Sequence, residues 1–368
     1  MQEVSVVLGS QSYDIHIGEG FLDQLEVLMQ SFSFSKRGLL ISDSNVALLY
    51  GDKLLNILNQ NGFAFDLFVV HAGEQAKSFN IAQKIYTKVI ELGLDRKSPI
   101  IALGGGVVGD LTGFIAATYL RGVPFIQIPT SLLAQVDSSV GGKVAINHEL
   151  GKNLIGAFYQ PKFVLIDLEI LQTLPQREIY SGLAEIIKYG IIADDKFFDY
   201  LDTNSQKILE LDKNTLSHII RRSCEIKADV VSKDEKEAGL RIILNFGHTI
   251  AHAVESDTGY KKYNHGEAVG IGMHGAALLS HYLGLIDETV LNRVIQIIQK
   301  FQLPLYAFDC TIENLFEFIG RDKKVTSGKV KWVLMNSIGQ IIIRNDISDD
   351  LVKRVLSEIV KSSDSKNL

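Results

Sequence analysis

The chain has 368 residues, of which 37 are Lys or Arg and 43 are Asp or Glu, so its formal net charge is −6. Apolar residues make up 46% and charged residues 22%, a composition that excludes disorder as the main state. There is no basic excess for nucleic-acid binding, and no apolar run reaches the roughly 18 residues of a membrane span. Because the start lacks a signal-peptide pattern and only Cys224 and Cys310 are cysteines, we expect a cytoplasmic protein without a disulfide framework.

The first part of the chain alternates short β-rich runs with helical patterns. A hairpin is predicted over 4–8 and 13–17, and further strands over 37–43, 63–70, 99–104, 125–129 and 163–167. Ser44 and Ser78 are predicted to cap helices that end near Gly62 and Gly93. Repeated strand–helix–strand units indicate a parallel sheet with helices on both faces.

The second part is mostly helical. Apolar residues at three- and four-residue spacing predict helices over 178–232, 249–259, 266–284, 288–301 and 311–320, then a hairpin over 329–344 and a last helix over 348–361. We therefore predict an α/β nucleotide-binding domain with a parallel sheet over residues 1–174. An all-α metal- and substrate-binding domain, apart from the late hairpin, is predicted over 175–368, with a cleft between the two.

A glycine-rich turn follows the predicted strand 99–104. Gly104, Gly106 and Gly109 form a G-x-G-x-x-G pattern between a strand and a helix, where backbone can approach a pyrophosphate closely. The same glycines are as typical of a tight strand-to-helix turn without a ligand. The turn alone therefore leaves nucleotide binding and simple turn geometry as open alternatives.

The acidic residue of the usual dinucleotide pattern is missing at its usual place. It would lie roughly 20 residues after the glycines, where this chain has Ile128 and Pro129. Asp43, at the end of its own predicted strand, fits the role best, so a bound nucleotide would be held by a different topology. Glu74 and Lys77 offer further charges in a GEQAK loop, although a solvated loop is the favoured interpretation of that segment by itself.

A group of histidines and carboxylates suggests a metal site. His248 and His252 lie four residues apart on one predicted helical face, His265 begins another helix, and Glu185 precedes Lys188 by three residues. Two imidazoles and a carboxylate are the ligands of a catalytic zinc ion with one open position. A single histidine of this kind is more often a hydrogen-bonded core or surface residue, and the spacing does not match the HExxH pattern of zinc proteases.

Basic and amide residues are scattered through glycine-rich stretches, which we expect to be flexible turns. They suit a small anionic ligand, although each one alone would be ordinary surface charge. Together with a metal and a nucleotide, they predict an NAD- and metal-dependent enzyme that acts on a small polyhydroxy anion. The residues concerned are Arg121, Lys143, Lys152, Asn153, Lys227, Arg241 and Asn245.

Six motifs, taken together, resemble those of the 3-dehydroquinate synthase family of sugar-phosphate cyclases. They are GGGVVGDLTGFIAATYLRG, PTSLLAQVDSSVGGKVAINHELGKNLIGAFYQP, SGLAEIIKYG, SKDEKEAGLRIILNFGHTIAHAVE, HGEAVGIGM and RDKK. With Asp43, the match extends to Lys324 in family order. The chain departs from the family at Ser131, where the family usually has a second threonine after Thr130.

The resemblance implies a fold of the dehydroquinate synthase type, a homodimer, and two cofactors. It implies a zinc or cobalt ion held by Glu185, His248 and His265. It implies NAD held by Asp43, Glu74, Lys77, Gly105, Gly106, Val107, Val108, Gly109, Asp110, Thr130, Ser131, Asp137, Lys143, Lys152, Ile170, Leu171, Gln172 and Thr173.

The resemblance also implies two groups of substrate-binding residues. The substrate carboxylate would be recognised by Lys143, Lys227, Arg241 and Asn245, and its phosphate by Asn153, Lys188, His252 and an Arg121 contributed by the other subunit. Either Lys323 or Lys324 matches a further active-site lysine of the family.

The family reaction converts 3-deoxy-D-arabino-heptulosonate 7-phosphate to 3-dehydroquinate and phosphate in the shikimate pathway. It combines transient oxidation by NAD, phosphate elimination, reduction, ring opening and an intramolecular aldol step. Alternative functions are a 2-deoxy-scyllo-inosose or valiolone synthase, a metal-dependent polyol dehydrogenase, or a non-catalytic module with the same fold. Lys143, Arg241 and Asn245 favour dehydroquinate, since related cyclases accept substrates without a carboxylate. Intact candidate metal ligands argue against a non-catalytic module.

Overall fold

The computed structural model describes residues 2–325 and 329–362, and these divide into two units. The first unit contains the described residues up to Pro175 together with Leu216–Lys236. The second contains Gln176–Thr215 and the described residues from Glu237 onward. Within these ranges, no helix has both the length and the apolar character needed to cross a bilayer.

Nine strands are described in the first unit. In chain order they are β1 (Gln2–Val6), β2 (Tyr13–Gly18), β3 (Arg37–Asp43), β4 (Ala64–Val70), β5 (Ile100–Gly104), β6 (Phe125–Pro129), β7 (Lys143–His148), β8 (Gly151–Phe158) and β9 (Phe163–Asp167). Seven of them form one sheet in the order β1-β2-β9-β6-β5-β3-β4, in which β1 is antiparallel to β2 and the other pairs are parallel. The predicted hairpin and parallel sheet are confirmed.

Helices cover both faces of this sheet. They are α1 (Leu25–Gln30), α2 (Ser44–Val46), α3 (Asp52–Gln60), α4 (Phe79–Glu91) and α5 (Gly106–Thr118). Successive strand residues point to opposite faces. In β3, Leu39 and Ile41 pack in the core that contains Ile85 of α4, whereas Leu40 packs in the core that contains Leu54 of α3.

The strand order places a topological switch point between β3 and β5. The chain leaves β3 toward β4 on one side, and it leaves β5 toward β6 on the other side. In parallel sheets, the loops at the carboxyl ends of two such strands diverge and leave a crevice where ligands bind. The carboxyl ends concerned are Asp43 and Gly104.

Two details of the first unit correct the sequence analysis. The helix after β3 is capped by Asp43, whose side chain accepts hydrogen bonds from Asn45 N and Val46 N, and not by Ser44. The basic residues at positions 143–153 were expected in flexible turns, but β7 and β8 form an antiparallel hairpin. Val144 is buried against α5, where its apolar side chain fastens the hairpin to the core. Ser78 caps α4, as predicted.

The predicted helical stretch 178–232 is divided into four helices. These are α6 (Gln176–Ala193), α7 (Asp195–Thr203), α8 (Ser205–Leu209) and α9 (Lys213–Lys233). Asp194 separates α6 from α7, because its side chain caps α7 by accepting a hydrogen bond from Phe197 N. From Leu216 onward, α9 belongs to the first unit rather than to the second.

Within the described residues, the rest of the second unit contains a short 3-10 helix (Leu240–Asn245) and five α-helices: α10 (His248–Asp257), α11 (His265–Tyr282), α12 (Glu288–Lys300), α13 (Ile312–Val325) and α14 (Asp349–Ile359). The short strands β10 (Ala307–Phe308) and β13 (Val360–Lys361) pair in parallel. The predicted late hairpin is confirmed as β11 (Trp332–Ser337) and β12 (Gln340–Arg344), with its turn at Gly339 in the left-handed region, at φ +82°.

Candidate active site

Three of the sequence-predicted residues form a cluster in the second unit. Glu185 lies within α6, His248 is the first residue of α10, and His265 is the first residue of α11. The Nε2 atoms of both histidines lie 3.5 Å from Oε1 of Glu185, and one ligand atom from each residue lies within 4.8 Å of the others. This donor set, two imidazole nitrogens and one carboxylate, suits a catalytic zinc-type ion with an open position.

Close helix contacts made by glycines bring these three residues together. Gly266, beside His265, lies so near α6 that a β-carbon there would be 2.2 Å from the carbonyl oxygen of Ser181. Gly266 N also donates a hydrogen bond of 3.0 Å to Ser181 Oγ. Gly247, beside His248, has φ +78° and meets α11 at Gly272, where a β-carbon would be 2.0 Å from the Gly247 carbonyl oxygen. Helices with larger side chains at these crossings would hold the three ligands farther apart.

Each histidine of the cluster has its other ring nitrogen engaged. His248 Nδ1 lies 3.1 Å from the carbonyl oxygen of Phe246, and His265 Nδ1 lies 3.2 Å from Oε1 of Glu255. With Nδ1 held in this way, both Nε2 atoms point toward the Glu185 carboxylate. This is the orientation expected of histidines that share a metal ion with that carboxylate. Sequence reasoning missed Glu255. Its signal was its place two helical turns after His248, which puts it on the same face of α10.

The two histidines differ in their electrostatics. Burial lowers the pKa of His248 to about 3, so this imidazole is neutral. Burial also acts to lower the pKa of His265, but hydrogen bonds to Glu185 and Glu255 raise it to about 10. The side chain of Lys188 contacts Oε2 of Glu185. Since a ligating imidazole must be neutral, a divalent cation bound here would replace the proton on His265.

Four predicted substrate residues belong to the second unit and lie near the cluster, either in sequence or in space. Lys188 is 1% exposed and lies one turn after Glu185 in α6. The His252 ring is exposed, with its centroid 5.5 Å from that of His248. Arg241, 2% exposed, and Asn245 lie one turn apart in a short helix that leads into α10. The side chains of Lys323 and Lys324 lie outside the described residues.

The predicted NAD residues of the first unit lie mainly at the carboxyl ends of neighbouring strands. Asp43 ends β3, and the turn of residues 105–110 follows β5. Thr130 and Ser131 follow β6, and residues 170–173 lie in the short helix after β9. Thr130 N donates to the Gly104 carbonyl oxygen at 3.0 Å, and a hydrogen bond of 2.7 Å joins Tyr50 Oη to Thr173 Oγ1. The structure therefore brings these segments to one edge of the sheet.

The glycines of the turn lie close to polar side chains of neighbouring segments. A β-carbon would lie 3.3 Å from Ser131 Oγ at Gly105, 2.9 Å from Ser138 Oγ at Gly106, and 2.9 Å from Gln127 Oε1 at Gly109. Other predicted NAD residues differ in exposure. Val107 is half-buried, whereas the side chains of three more are buried and leave only main-chain atoms for a ligand. These three are Val108, Ile170 and Leu171. Gln172 is exposed beside them.

The GEQAK loop is not a solvated loop, contrary to its favoured interpretation from sequence alone. Lys77 is 3% exposed and its Nζ lies 2.6 Å from Asp110 Oδ2, with a further hydrogen bond to Asn153 Oδ1. Asn147, which the sequence analysis missed, donates to Glu74 Oε1 at 2.8 Å. Burial raises the pKa of Asp110 to about 6, although the neighbouring Lys77 ammonium lowers it. The loop thus joins α5 to the β7–β8 hairpin.

The remaining predicted residues lie elsewhere in the first unit. Lys227 of α9 is 5% exposed, and its Nζ donates to the Asp137 carbonyl oxygen at 2.6 Å and to Asp137 Oδ1 at 2.7 Å. Lys143 is exposed at the start of β7, and Lys152 is half-buried in β8. Arg121 is exposed in a turn with φ +66°.

Two family models match the chain. The model described as 3-dehydroquinate synthase N-terminal matches residues 67–181, and the model described as 3-dehydroquinate synthase C-terminal matches residues 182–325. The 3-dehydroquinate synthase of Thermodesulfovibrio yellowstonii is 48% identical over 359 residues, which cover 97% of this chain and 100% of that protein.

Two solved structures of sugar-phosphate cyclases are similar to the chain. A 2-epi-5-epi-valiolone synthase from Streptomyces hygroscopicus subsp. jinggangensis, with NAD+ and Zn2+ bound, has a TM-score of 0.88 and 28% identity, with 98% of each chain covered. A 2-deoxy-scyllo-inosose synthase complexed with carbaglucose-6-phosphate, NAD+ and Co2+ has a TM-score of 0.87 and 26% identity, with 97% of this chain and 99% of that chain covered.

Proposed function

The chain belongs to the 3-dehydroquinate synthase family, and we propose that it converts 3-deoxy-D-arabino-heptulosonate 7-phosphate to 3-dehydroquinate and phosphate in the shikimate pathway. The observation that carries this proposal is the near full-length similarity to a 3-dehydroquinate synthase at 48% identity. The two cyclases of known structure that make other products are less similar, at 28% and 26% identity. The cluster of Glu185, His248 and His265 supports a catalytic rather than a purely structural role.

The enzyme uses NAD and a divalent zinc or cobalt ion. When bound, NAD would supply a reversible hydride acceptor for C5 of the substrate, and the ion would supply a Lewis acid for the oxygen on that carbon. We assign the ion to Glu185, His248 and His265, because their donor atoms converge and both Nδ1 atoms are engaged elsewhere. We assign NAD to the first unit, because the predicted residues occupy the carboxyl edge of its sheet beside the switch point.

We assign the substrate-binding residues from their charge and their position in the structure. The buried Arg241 offers a planar pair of donors that matches a carboxylate, and Asn245, one helical turn away, adds an amide. Lys188 and His252 flank the metal cluster and suit the phosphate. Further cations and amides would come from Lys143, Asn153 and Lys227 of the first unit. Such fixed cations orient the substrate for elimination and for ring closure.

The functional division that we propose is an NAD-binding part over 1–174 and a metal- and substrate-binding part over 175–368. The residues of α9 from Leu216 onward are an addition to the first part, since they pack with it and bring Lys227 next to Asp137. A cytoplasmic location is supported by the buried free thiols of Cys224 and Cys310.

The protein is proposed to be a homodimer. The β7–β8 hairpin exposes Leu150 in its turn and Leu154 and Phe158 in β8, by 87%, 65% and 40%. The turn that carries Leu120 and Arg121 lies next to the end of this hairpin, because Tyr159 Oη donates to the Val123 carbonyl oxygen at 2.6 Å. Apolar side chains exposed together mark an interaction surface, and we propose that a second copy covers it and receives Arg121.

The decisive experiment measures phosphate release from 3-deoxy-D-arabino-heptulosonate 7-phosphate with NAD and zinc or cobalt, with and without a chelator. Chelator-sensitive release without net NADH is the expected result. A chain that releases no phosphate from this substrate, but does so from a heptulose or hexose phosphate without a carboxylate, would be one of the related cyclases. Accumulation of NADH with a simple polyol would identify a dehydrogenase instead.

A further inference from the structure

We infer that Glu255 is a positioning residue, which holds the His265 ring in the orientation needed for metal ligation. The inference rests on the proposed function, because it assumes that His265 ligates the ion. Glu255 belongs to α10, the helix that begins with His248, and its Oε1 lies 3.2 Å from His265 Nδ1. One helix therefore supplies a metal ligand at its start and, two turns later, a carboxylate that orients a ligand of the next helix.

The two histidines are oriented by different means. The partner of His248 Nδ1 is the main-chain carbonyl of Phe246, which no substitution of a side chain removes. The partner of His265 Nδ1 is the side chain of Glu255, which is 12% exposed. A carboxylate on the second ring nitrogen fixes the tautomer, directs Nε2 toward the ion and raises the basicity of the ligand. A single side-chain substitution at Glu255 can therefore change the orientation of His265, whereas the partner of His248 cannot be removed in this way.

The backbone at His265 is fixed separately from its ring. Asn264 and Glu267 form a capping box at the start of α11, in which Asn264 Oδ1 accepts from Glu267 N at 2.9 Å and Glu267 Oε2 accepts from Asn264 N at 2.9 Å. Arg177 donates to both carboxylate oxygens of Glu267, at 2.7 and 2.6 Å. These bonds fix the first turn of the helix but do not reach the imidazole. The rotation of the ring remains for Glu255 to set.

The test measures zinc affinity of the full-length protein by competition with a chromophoric chelator, and the visible spectrum of the cobalt-loaded protein. Glu255→Leu removes the acceptor at similar size and is expected to weaken zinc binding 10- to 100-fold and to change the cobalt spectrum. Glu255→Gln keeps an acceptor oxygen and should recover most of the affinity. Asp257→Asn is the matched control, because Asp257 lies in the same helix but accepts from Asn314 Nδ2 and Thr311 N; its zinc affinity should equal that of the wild type.

Glu255→Asp provides a second variant in case the leucine variant does not fold, since the shorter side chain keeps the charge but withdraws the oxygen from His265. Either variant should bind NAD as the wild type does. A folded Leu or Asp variant with wild-type zinc affinity and an unchanged cobalt spectrum would overturn the inference and leave the proposed function intact. A wild-type protein that binds neither zinc nor cobalt would instead overturn the proposed function itself.

Discussion

Gly266 lies in main-chain contact with Ser181, so that a β-carbon on residue 266 would be 2.2 Å from the Ser181 carbonyl oxygen. The contact lies beside the candidate metal cluster: Gly266 follows His265 directly, and Ser181 precedes Glu185 by one helical turn. This main-chain contact between α6 and α11 therefore limits the distance between two proposed metal ligands.

Gly266→Ala is predicted to separate these two helices. Because the clashing atoms belong to the Ser181 main chain, they cannot rotate away, and we expect a loss of about 1–3 kcal/mol in the free energy of unfolding together with weaker zinc binding. Denaturant unfolding and chelator competition measure the two effects. Gly320→Ala is the matched control, since a β-carbon on that glycine would have no neighbouring atom within 4 Å; a similar loss in both variants would contradict the role of the contact.

His265→Ala is predicted to lose the metal ion and nearly all turnover. The first unit contains neither His265 nor the other proposed ligands, so NAD binding should persist at wild-type affinity. Metal content after gel filtration and fluorescence titration with NAD measure the two properties. His281→Ala, at the far end of the same helix, where Nδ1 bonds the Ile286 carbonyl oxygen, is the control and should retain its metal. Near-normal turnover by the His265 variant would refute its assignment as a ligand.

The sequence could predict the sheet and the helical second unit, because their signals are local or periodic, and the family resemblance named Glu185, His248 and His265 as candidate metal ligands. The continuous apolar run Leu39–Ile41 in β3 and the three- and four-residue apolar spacing in the helices are of this kind. It could not predict that Glu255 meets His265, since two side chains from different helices meet only after the helices pack. The β7–β8 hairpin was missed because glycines such as Gly156 are typical of turns. In the structure Gly156 lies within β8, where its missing β-carbon allows the two strands to approach. A β-carbon there would be 2.3 Å from the Val144 carbonyl oxygen.

Arg241→Gln is predicted to weaken recognition of the substrate carboxylate. The guanidinium of this buried residue offers two parallel donors, whereas glutamine offers one neutral donor group. The Michaelis constant for the heptulosonate substrate should therefore rise at least about tenfold. Steady-state phosphate release provides the measurement. An analogue without the carboxylate should bind the variant and the wild type almost equally; equal losses with both compounds would count against this role.

Asp110 is predicted to make the stability of the protein depend on pH. Burial raises the pKa of its carboxyl from 3.8 to about 6 in the folded state, despite the neighbouring Lys77. The folded state therefore holds this proton more tightly than the unfolded state, and stability falls as the pH rises from about 4 to about 6, by up to about 3 kcal/mol. Urea unfolding of the wild type and of Asp110→Asn across this range isolates the effect. The difference between their unfolding free energies should change with pH in this window, and a constant difference would exclude the shift.

Arg121 is predicted to act in the active site of the other subunit. Arg121→Ala and His265→Ala should each be nearly inactive as homodimers. In a mixed dimer, the subunit with intact metal ligands receives the intact Arg121 of its partner, so one complete site forms. Random reassociation of the two variants should then restore about a quarter of the wild-type activity, because half of the symmetric dimers are mixed and each has one complete site. A mixture of His265→Ala and Glu185→Ala is the control: both variants lack a metal ligand in their own subunit, so no complete site can form. Recovery in neither mixture would show that Arg121 serves its own subunit.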